Sequence, residues 1–353
     1  MEPYGFVLIE WADDFASDLL VFPRNDNMKK ALGWVGAVAL QLAGPAWADD
    51  QYRSFLFQND LFIGQDGGGY TNGVFFTQIA APSAGATQVE PSWLLQSVAP
   101  LLGLPGATLT AASIGQIMVT PRDITTAQPD RNDAPYAGAL VFRSVQVHVH
   151  DDMAEILAFS VGVVGPASGA AQTQRLAHRI FGADRPRGWD TQVPNKALLG
   201  MERYRAWRFA SDARLPGGAD GDLIVLGGGA LGNLQSSAGV SMTVRYGRGL
   251  ERSFPAASRL GVQTADPVLI GAGWFGFATL SADRLFHYVG IGSDAPVDNE
   301  SQLRRSRFLA AVGFAYGWEN ASLSFSVQSA NPVVQSSRRA QTYGSLTYTY
   351  RLK

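Results

Sequence analysis

Two short stretches of the chain place side-chain oxygens where a hairpin would gather them. Gln58-Asn59-Asp60-Leu61-Phe62 is followed, across a glycine-rich run at 64–69, by Tyr70-Thr71-Asn72-Gly73. A hairpin over this span brings Asn59, Asp60, Thr71 and Asn72 to one rim. Oxygens clustered in this way suit Ca²⁺, a hard cation that prefers oxygen ligands. The same residue types are also ordinary turn formers, and both readings stay open on these residues alone. A second cluster lies at 172–182, where Gln174 and His178 stand four apart on a candidate helix ending at Gly182, and so share one face. An imidazole changes charge near neutral pH and can take or give a proton there. The tail Arg185-Pro186-Arg187-Gly188-Trp189-Asp190 sets two cations beside an aromatic expected at an interface. That combination suits phosphate-bearing head groups and is equally found in solvated turns. A third cluster, Gly115-Gln116, Thr120-Pro121-Arg122-Asp123-Ile124 and Asp133-Ala134-Pro135-Tyr136-Ala137-Gly138, reads as a strand end, a polar loop and the next strand. No Gly-x-Ser-x-Gly elbow and no His-Glu-x-x-His pair is present, so neither a serine nor a zinc hydrolase has a local signature here.

The elements that must position these residues follow from composition. Of 353 residues 46% are hydrophobic and only 16% charged, with 39 glycines and no cysteine. That charged fraction falls well short of the roughly 25% of soluble domains. A formal net charge of −2 argues against a nucleic-acid partner, which calls for a basic excess. Without cysteine there is no disulfide scaffold, thiolate metal site or cysteine nucleophile. One apolar run exists, and a helical membrane protein needs several of about 20 residues. That run has the marks of a secretion signal spanning 28–48. Met28-Lys29-Lys30 opens it, an apolar stretch follows, and Ala46-Trp47-Ala48 supplies a small-x-small cleavage pattern. Residues 1–27 carry six acids and make a poor leader, so they read as an upstream extension from a mis-called start. Residues 49–353 then form the exported domain.

That domain shows segments of about ten residues with alternating character, separated by turn residues, as outer-membrane strands do. They fall at 52–61, 71–80, 111–119, 138–148, 155–165, 197–208, 222–234, 239–246, 267–281, 307–318, 321–328 and 341–352. The last alternates plainly, with Tyr343, Ser345, Thr347, Thr349 and Arg351 opposite Leu346, Tyr348, Tyr350 and Leu352. Trp274, Phe275, Phe277, Tyr316 and Trp318 suit interfacial aromatic girdles. Segments 81–108 and 283–306 read as long loops, the first with a short amphipathic helix at 93–102. The expected fold is all-β: a transmembrane antiparallel barrel of about twelve strands, in the bacterial outer membrane, with no second domain. A plain barrel has no need of an inserted helix, which draws attention to His178.

In their order and spacing these clusters resemble the lipid A 3′-O-deacylase family of Gram-negative outer membranes. The resemblance rests on Gln58-Asn59-Asp60, Tyr70-Thr71-Asn72-Gly73, Gly115-Gln116 with Thr120-Pro121, and Pro135-Tyr136-Ala137-Gly138. It continues through Gly165-Pro166, Gln174-x-x-x-His178, Gly188-Trp189-Asp190-x-Gln192 and Asn195. It runs from about Tyr52 to the C-terminus. What it implies is a twelve-stranded barrel with a short helix near the active site, hydrolysing an acyl ester of lipid A with Ca²⁺. By position His178 matches the family's catalytic histidine, and Asn59, Asp60, Thr71 and Asn72 match its polar site residues. Asn59 and Asp60 are then the expected metal ligands, with Thr71, Asn72, Arg131 and Gln174 on the substrate, lipid A within lipopolysaccharide. Where the family reads Asp-Arg-Pro-Tyr, this chain has Asp133-Ala134-Pro135-Tyr136, and Arg131 is the nearest replacement cation. His178 would draw a proton from water while Ca²⁺ polarises the ester carbonyl. The competing readings are a non-catalytic barrel, either a pore or a structural protein, and an outer-membrane phospholipase.

Overall fold

A strand with a two-residue period turns one row of side chains to lipid and the other to the lumen, and the chain does this twelve times. The computed structural model describes residues 50–60, 69–82, 87–89, 94–104, 106–210, 215–257 and 272–352; the expected extension 1–27 and signal 28–48 lie outside them. The strands are β1 (Asp50–Asn59), β2 (Gly69–Ala81), β3 (Leu109–Thr120), β4 (Ala137–His150), β5 (Met153–Val164) and β6 (Lys196–Ala210). They continue as β7 (Asp220–Gly232), β8 (Gln235–Arg248), β9 (Gly273–Tyr288), β10 (Ser306–Gly317), β11 (Ala321–Ala330) and β12 (Gln341–Arg351). Each pairs antiparallel with its neighbours, and β12 closes on β1 from Tyr52↔Arg351 to Asn59↔Gly344. Closure leaves no unpaired strand edge. Among the described residues no helix is long and apolar enough to cross a bilayer. The strands are the spanning elements.

The faces sort as a membrane barrel requires. Phe55, Phe57, Leu199, Val240, Leu280, Phe308, Val312 and Phe325 are exposed on the outside, while Ser54, Ser241, Thr243, Thr279, Ser324 and Thr347 are buried within. Trp207, Tyr246, Tyr316, Trp318 and Tyr348 are exposed aromatics near the strand ends on the rim that bears both ends of the barrel, as a girdle would be. Trp274 joins them through Tyr246 and Phe314. Phe275 and Phe277, expected in that girdle, are instead buried in the lumen against Leu250 and Phe254. Their odd positions on β9 face inward, and Trp274 alone of that trio faces out. β9 also runs on to Tyr288, so the expected loop at 283–306 begins only at Val289; its predicted start at 267 lies outside the described residues. The expected helix at 93–102 is realised as turns and one 3₁₀ turn at Pro100–Leu102.

On β4 the usual sorting is reversed, and the outer wall there is covered by protein. Ser144 and Gln146 point outward yet are buried. Gln146 Nε2 donates to the Gly106 carbonyl at 2.7 Å and the Leu104 carbonyl at 3.3 Å. Leu95, Ala99 and Leu104 pack on Leu157 of the outer wall, shielding β4 and β5 at the rim bearing the barrel's two ends. The lumen is obstructed as well. Helix α2 (Leu250–Ala257) sends Leu250 and Phe254 inside. Arg245, fully buried, pairs with Asp222 at 2.6 Å and donates to the Leu250 carbonyl and Ser253 Oγ, both at 2.9 Å. At the opposite mouth Ala134, Val193, Val289, Ile291 and Val333 pack together from four different loops.

Candidate active site on the outer wall

One row of residues crosses four strands near the rim opposite the barrel's ends. Asn59 pairs with Asn72, Asn72 with Met118, and Met118 with Gly138. Strand parity turns this row outward, in line with the exposed Phe57 and Val74 two residues away. Gln58, between Phe57 and Asn59, is buried toward the lumen, donates to Ser345 Oγ at 2.9 Å and accepts from the Tyr70 hydroxyl. On a continuing strand Asp60 would face the lumen too, opposite to Asn59. β1 ends at Asn59, however, so Asp60 is released from that alternation; it is 8% exposed. On the facing strand the register shifts between Tyr70 and Asn72, a bulge that leaves Thr71 as the extra residue. Bulges of this kind re-aim side chains at barrel rims.

Helix α1 (Ala170–Phe181) sits on the outside of this same wall. Gly138 makes the seat: a Cβ there would lie 2.2 Å from the Ala170 Cβ and 2.5 Å from Ser168 Oγ. Gln116, also outward-facing, donates to the Ser168 carbonyl at 2.7 Å. Met118, Tyr136, Ala170, Ala171 and Trp189 form a buried cluster under the helix. Trp189 packs on Tyr136 with ring centroids 4.9 Å apart and donates its indole N–H to Gln174 Oε1 at 2.6 Å. Burial pushes the Tyr136 phenol up to about 12, so it stays a neutral donor, bonded to the Ile124 carbonyl at 3.3 Å. Gln174, expected on substrate, is buried and engaged by Trp189; Trp189, expected at an interface, is fully buried beneath the helix.

His178 lies on the last turn of α1, and the way that turn ends fixes its chemistry. Gly182 takes φ +68°, a left-handed cap whose N–H returns to the His178 carbonyl. The chain then doubles back, and His178 Nδ1 bonds the Asp184 carbonyl at 2.5 Å. A carbonyl only accepts, so Nδ1 carries the hydrogen and Nε2 of a neutral ring keeps a lone pair. An L side chain at Gly182 would cost about 1–2 kcal/mol in that conformation. Gly182→Ala is therefore expected to loosen the Asp184 contact and to lower any hydrolytic activity that depends on His178 several-fold, with little change in melting temperature, read by paired kinetic and thermal assays; an unchanged rate would count against this role for the cap.

The remaining candidates lie elsewhere. Arg131 pairs with Glu300 at 3.6 Å, both largely exposed. Ala134, at the family's arginine position, is buried with Val193 and Leu285 in the mouth. His287 bonds the Asn233 carbonyl, and His150 sits beside Asp151. Among the described residues no three His, Asp or Glu side chains gather as a metal cluster. A cation here would therefore rely on amide oxygens beside one carboxylate. Asn72 Oδ1 fits that need, being buried without a hydrogen-bond partner one strand from Asn59. Such a set suits a hard cation that accepts amide oxygen and water. Gly138, Gln116, Trp189 and Gly182, which hold α1 in place, carry no chemical signature of their own. A glycine inside a strand, marking close approach of another backbone, was the available clue.

An apolar-out, closed, even-numbered barrel with a helix docked at its rim is an outer-membrane β-barrel protein. More narrowly, the chain belongs to the outer membrane protein LpxR family, whose profile matches residues 34–352. Its fold is similar to LpxR from Salmonella typhimurium, with 17% identity, a TM-score of 0.68 and coverage of 85% of this chain and 99% of that one. The translocator domain of autotransporter NalP from Neisseria meningitidis is also similar, at 12% identity and TM-score 0.42, over 93% and 100% of the two chains. No curated protein sequence matches the chain.

Proposed function

We propose that this protein hydrolyses an ester-linked acyl chain, the 3′-acyloxyacyl group, of lipid A at the outer face of its barrel. The observation that carries this reading is the position of α1. The helix bearing His178 lies outside the wall, seated at Gly138, in the same row as Asn59 and Asn72. A lipid in the outer leaflet meets that face without entering the lumen. His178 Nε2 takes a proton from water as the oxygen attacks the ester carbonyl, then returns it to the leaving alkoxide. The bond between the ester carbonyl carbon and the sugar 3′-oxygen breaks, and a free acyloxyacyl fatty acid and a sugar hydroxyl result. No acyl-enzyme is needed. Asp60, Asn59 and Asn72 would hold Ca²⁺, which when bound supplies positive charge for the developing oxyanion. The Asp184 carbonyl holds the imidazole in the productive tautomer, and the buried Gln174–Trp189–Tyr136 stack keeps the helix on the wall.

Mass spectrometry of lipid A and phospholipids from cells with and without the gene tests the reading. Loss of one acyloxyacyl mass from lipid A supports it; lysophospholipid in its place, or no change, overturns it. The obstructed lumen, with α2 inside it and packed loops across the opposite mouth, gives an independent expectation. Purified barrel in planar bilayers is expected to show no steady conductance, whereas ohmic channels would restore the pore reading.

A further inference from the structure

Diametrically opposite β3 in the closed strand order lies β9, and the outer wall around β9 carries a groove that the hydrolase reading does not use. It measures about 580 Å³ and is lined by Val240, Met242, Leu280, Phe308 and Ala310, with Arg338 at its edge. The apolar lining is continuous with the lipid-facing wall: Leu280 is 68% exposed and Phe308 61%. Register places a second cation above it. Met242↔Leu280↔Ala310 forms one outward row, Val240↔Ala282↔Phe308 the next toward the rim, and Ala238↔Arg284↔Ser306 the next again. Arg284 is exposed and bonds the Ser306 hydroxyl at 3.4 Å. Arg338 also lines a polar rim cleft of about 360 Å³ with Arg122, Arg339, Asn132 and Ser336. The two carboxylates in that cleft are engaged by their own loop. Asp133 accepts the Arg122 and Ala134 backbone N–H groups, and Asp130 accepts that of Asn132. Apolar wall below, guanidinium groups above, and a polar cleft beyond them form the profile of an acylated lipid with an anionic head.

We propose that this groove is a second lipid site, binding a phosphorylated, multiply acylated glycolipid of the outer leaflet, the class to which lipid A belongs. Its acyl chains lie along Val240, Leu280 and Phe308, its phosphate meets Arg284 and Arg338, and its sugar faces the rim cleft. Arginine matches phosphate oxygens with two parallel donors. The groove opens toward the same rim as α1, so both sites draw on one leaflet. The proposal does not rest on hydrolysis.

Because the chain has no cysteine, Met242→Cys carrying a benzophenone maleimide reports what occupies the groove. The protein, in a His178→Ala background so that the lipid stays intact, is placed in phosphatidylcholine vesicles containing bisphosphorylated lipid A and irradiated. The expected result is a lipid A adduct at residue 242, reduced at least ~10-fold by Arg284→Ala with Arg338→Ala, the scale of one lost charge-assisted hydrogen bond. Dephosphorylated lipid A is expected to label as weakly as the double variant does. An adduct that survives loss of both arginines, or equal labelling by dephosphorylated lipid A or phosphatidylglycerol, would mean that the wall merely touches bulk lipid, and the proposal fails.

Discussion

His178→Ala is expected to lower acyl-ester hydrolysis at least ~10²-fold, the usual contribution of a positioned general base. The imidazole is half-buried at the end of α1, and its Nδ1–H is committed to a backbone carbonyl, so only Nε2 is available to the water. Little fold stability depends on it, because α1 is held by Trp189, Tyr136 and Gly138 rather than by this ring. Heat-dependent electrophoretic mobility of the barrel should therefore stay unchanged while fatty-acid release falls. Asp60→Ala is expected to lose a comparable factor, on the scale of one oxyanion stabiliser (~10²–10³), since Asp60 directly follows Asn59, which pairs with Asn72 across the hairpin. Near-normal release by either variant would remove that residue from the chemistry.

Trp189→Ala should be as damaging through a different route. The indole is fully buried, stacks on Tyr136 and donates to Gln174. Truncating a buried aromatic costs about 3–5 kcal/mol, and the Gln174 oxygen would also lose its donor. These contacts lie between α1 and the wall, not within the strand ladder, so the loss falls on docking of the helix. The expected outcome is a folded barrel with deacylation reduced at least ~10²-fold, which is less than that docking energy can supply at about 1.4 kcal/mol per decade. Proteolysis in the 165–195 connection should become faster. A variant that is fully active with unchanged proteolysis would show that α1 is seated by other contacts.

The strands were legible because the period-two pattern that marks them is the same one that sorts lipid from lumen, as Tyr343 to Leu352 shows. The helix at 170–181 was legible from the spacing of Gln174 and His178 and from the glycine that ends it. Which side of the wall the helix occupies was not. That depends on Gly138 meeting Ala170 across some thirty residues of chain, a contact with no local signature. The outward-facing Ser144 and Gln146 are likewise explained only by the cover that 94–104 provides. Trp189 and Phe275 show the same limit, because an aromatic suits an interface and a core equally well and only parity and partners decide. Parity also sets Asn59 and Asp60 on opposite faces of a continuing strand; β1 ends at Asn59, and a bulge at Thr71 interrupts the facing strand. Arg131, offered as the replacement cation, pairs with Glu300 on another loop, a long-range contact the sequence does not signal.

The account stands or falls on what purified barrel does to a defined lipid A in the presence of Ca²⁺, read as product mass. The expected product lacks only the 3′-acyloxyacyl unit, with the matching fatty acid released, and its formation stops on adding chelator or in the His178→Ala protein. Intact lipid A after prolonged incubation with the wild-type protein, or undiminished cleavage without His178, would contradict it.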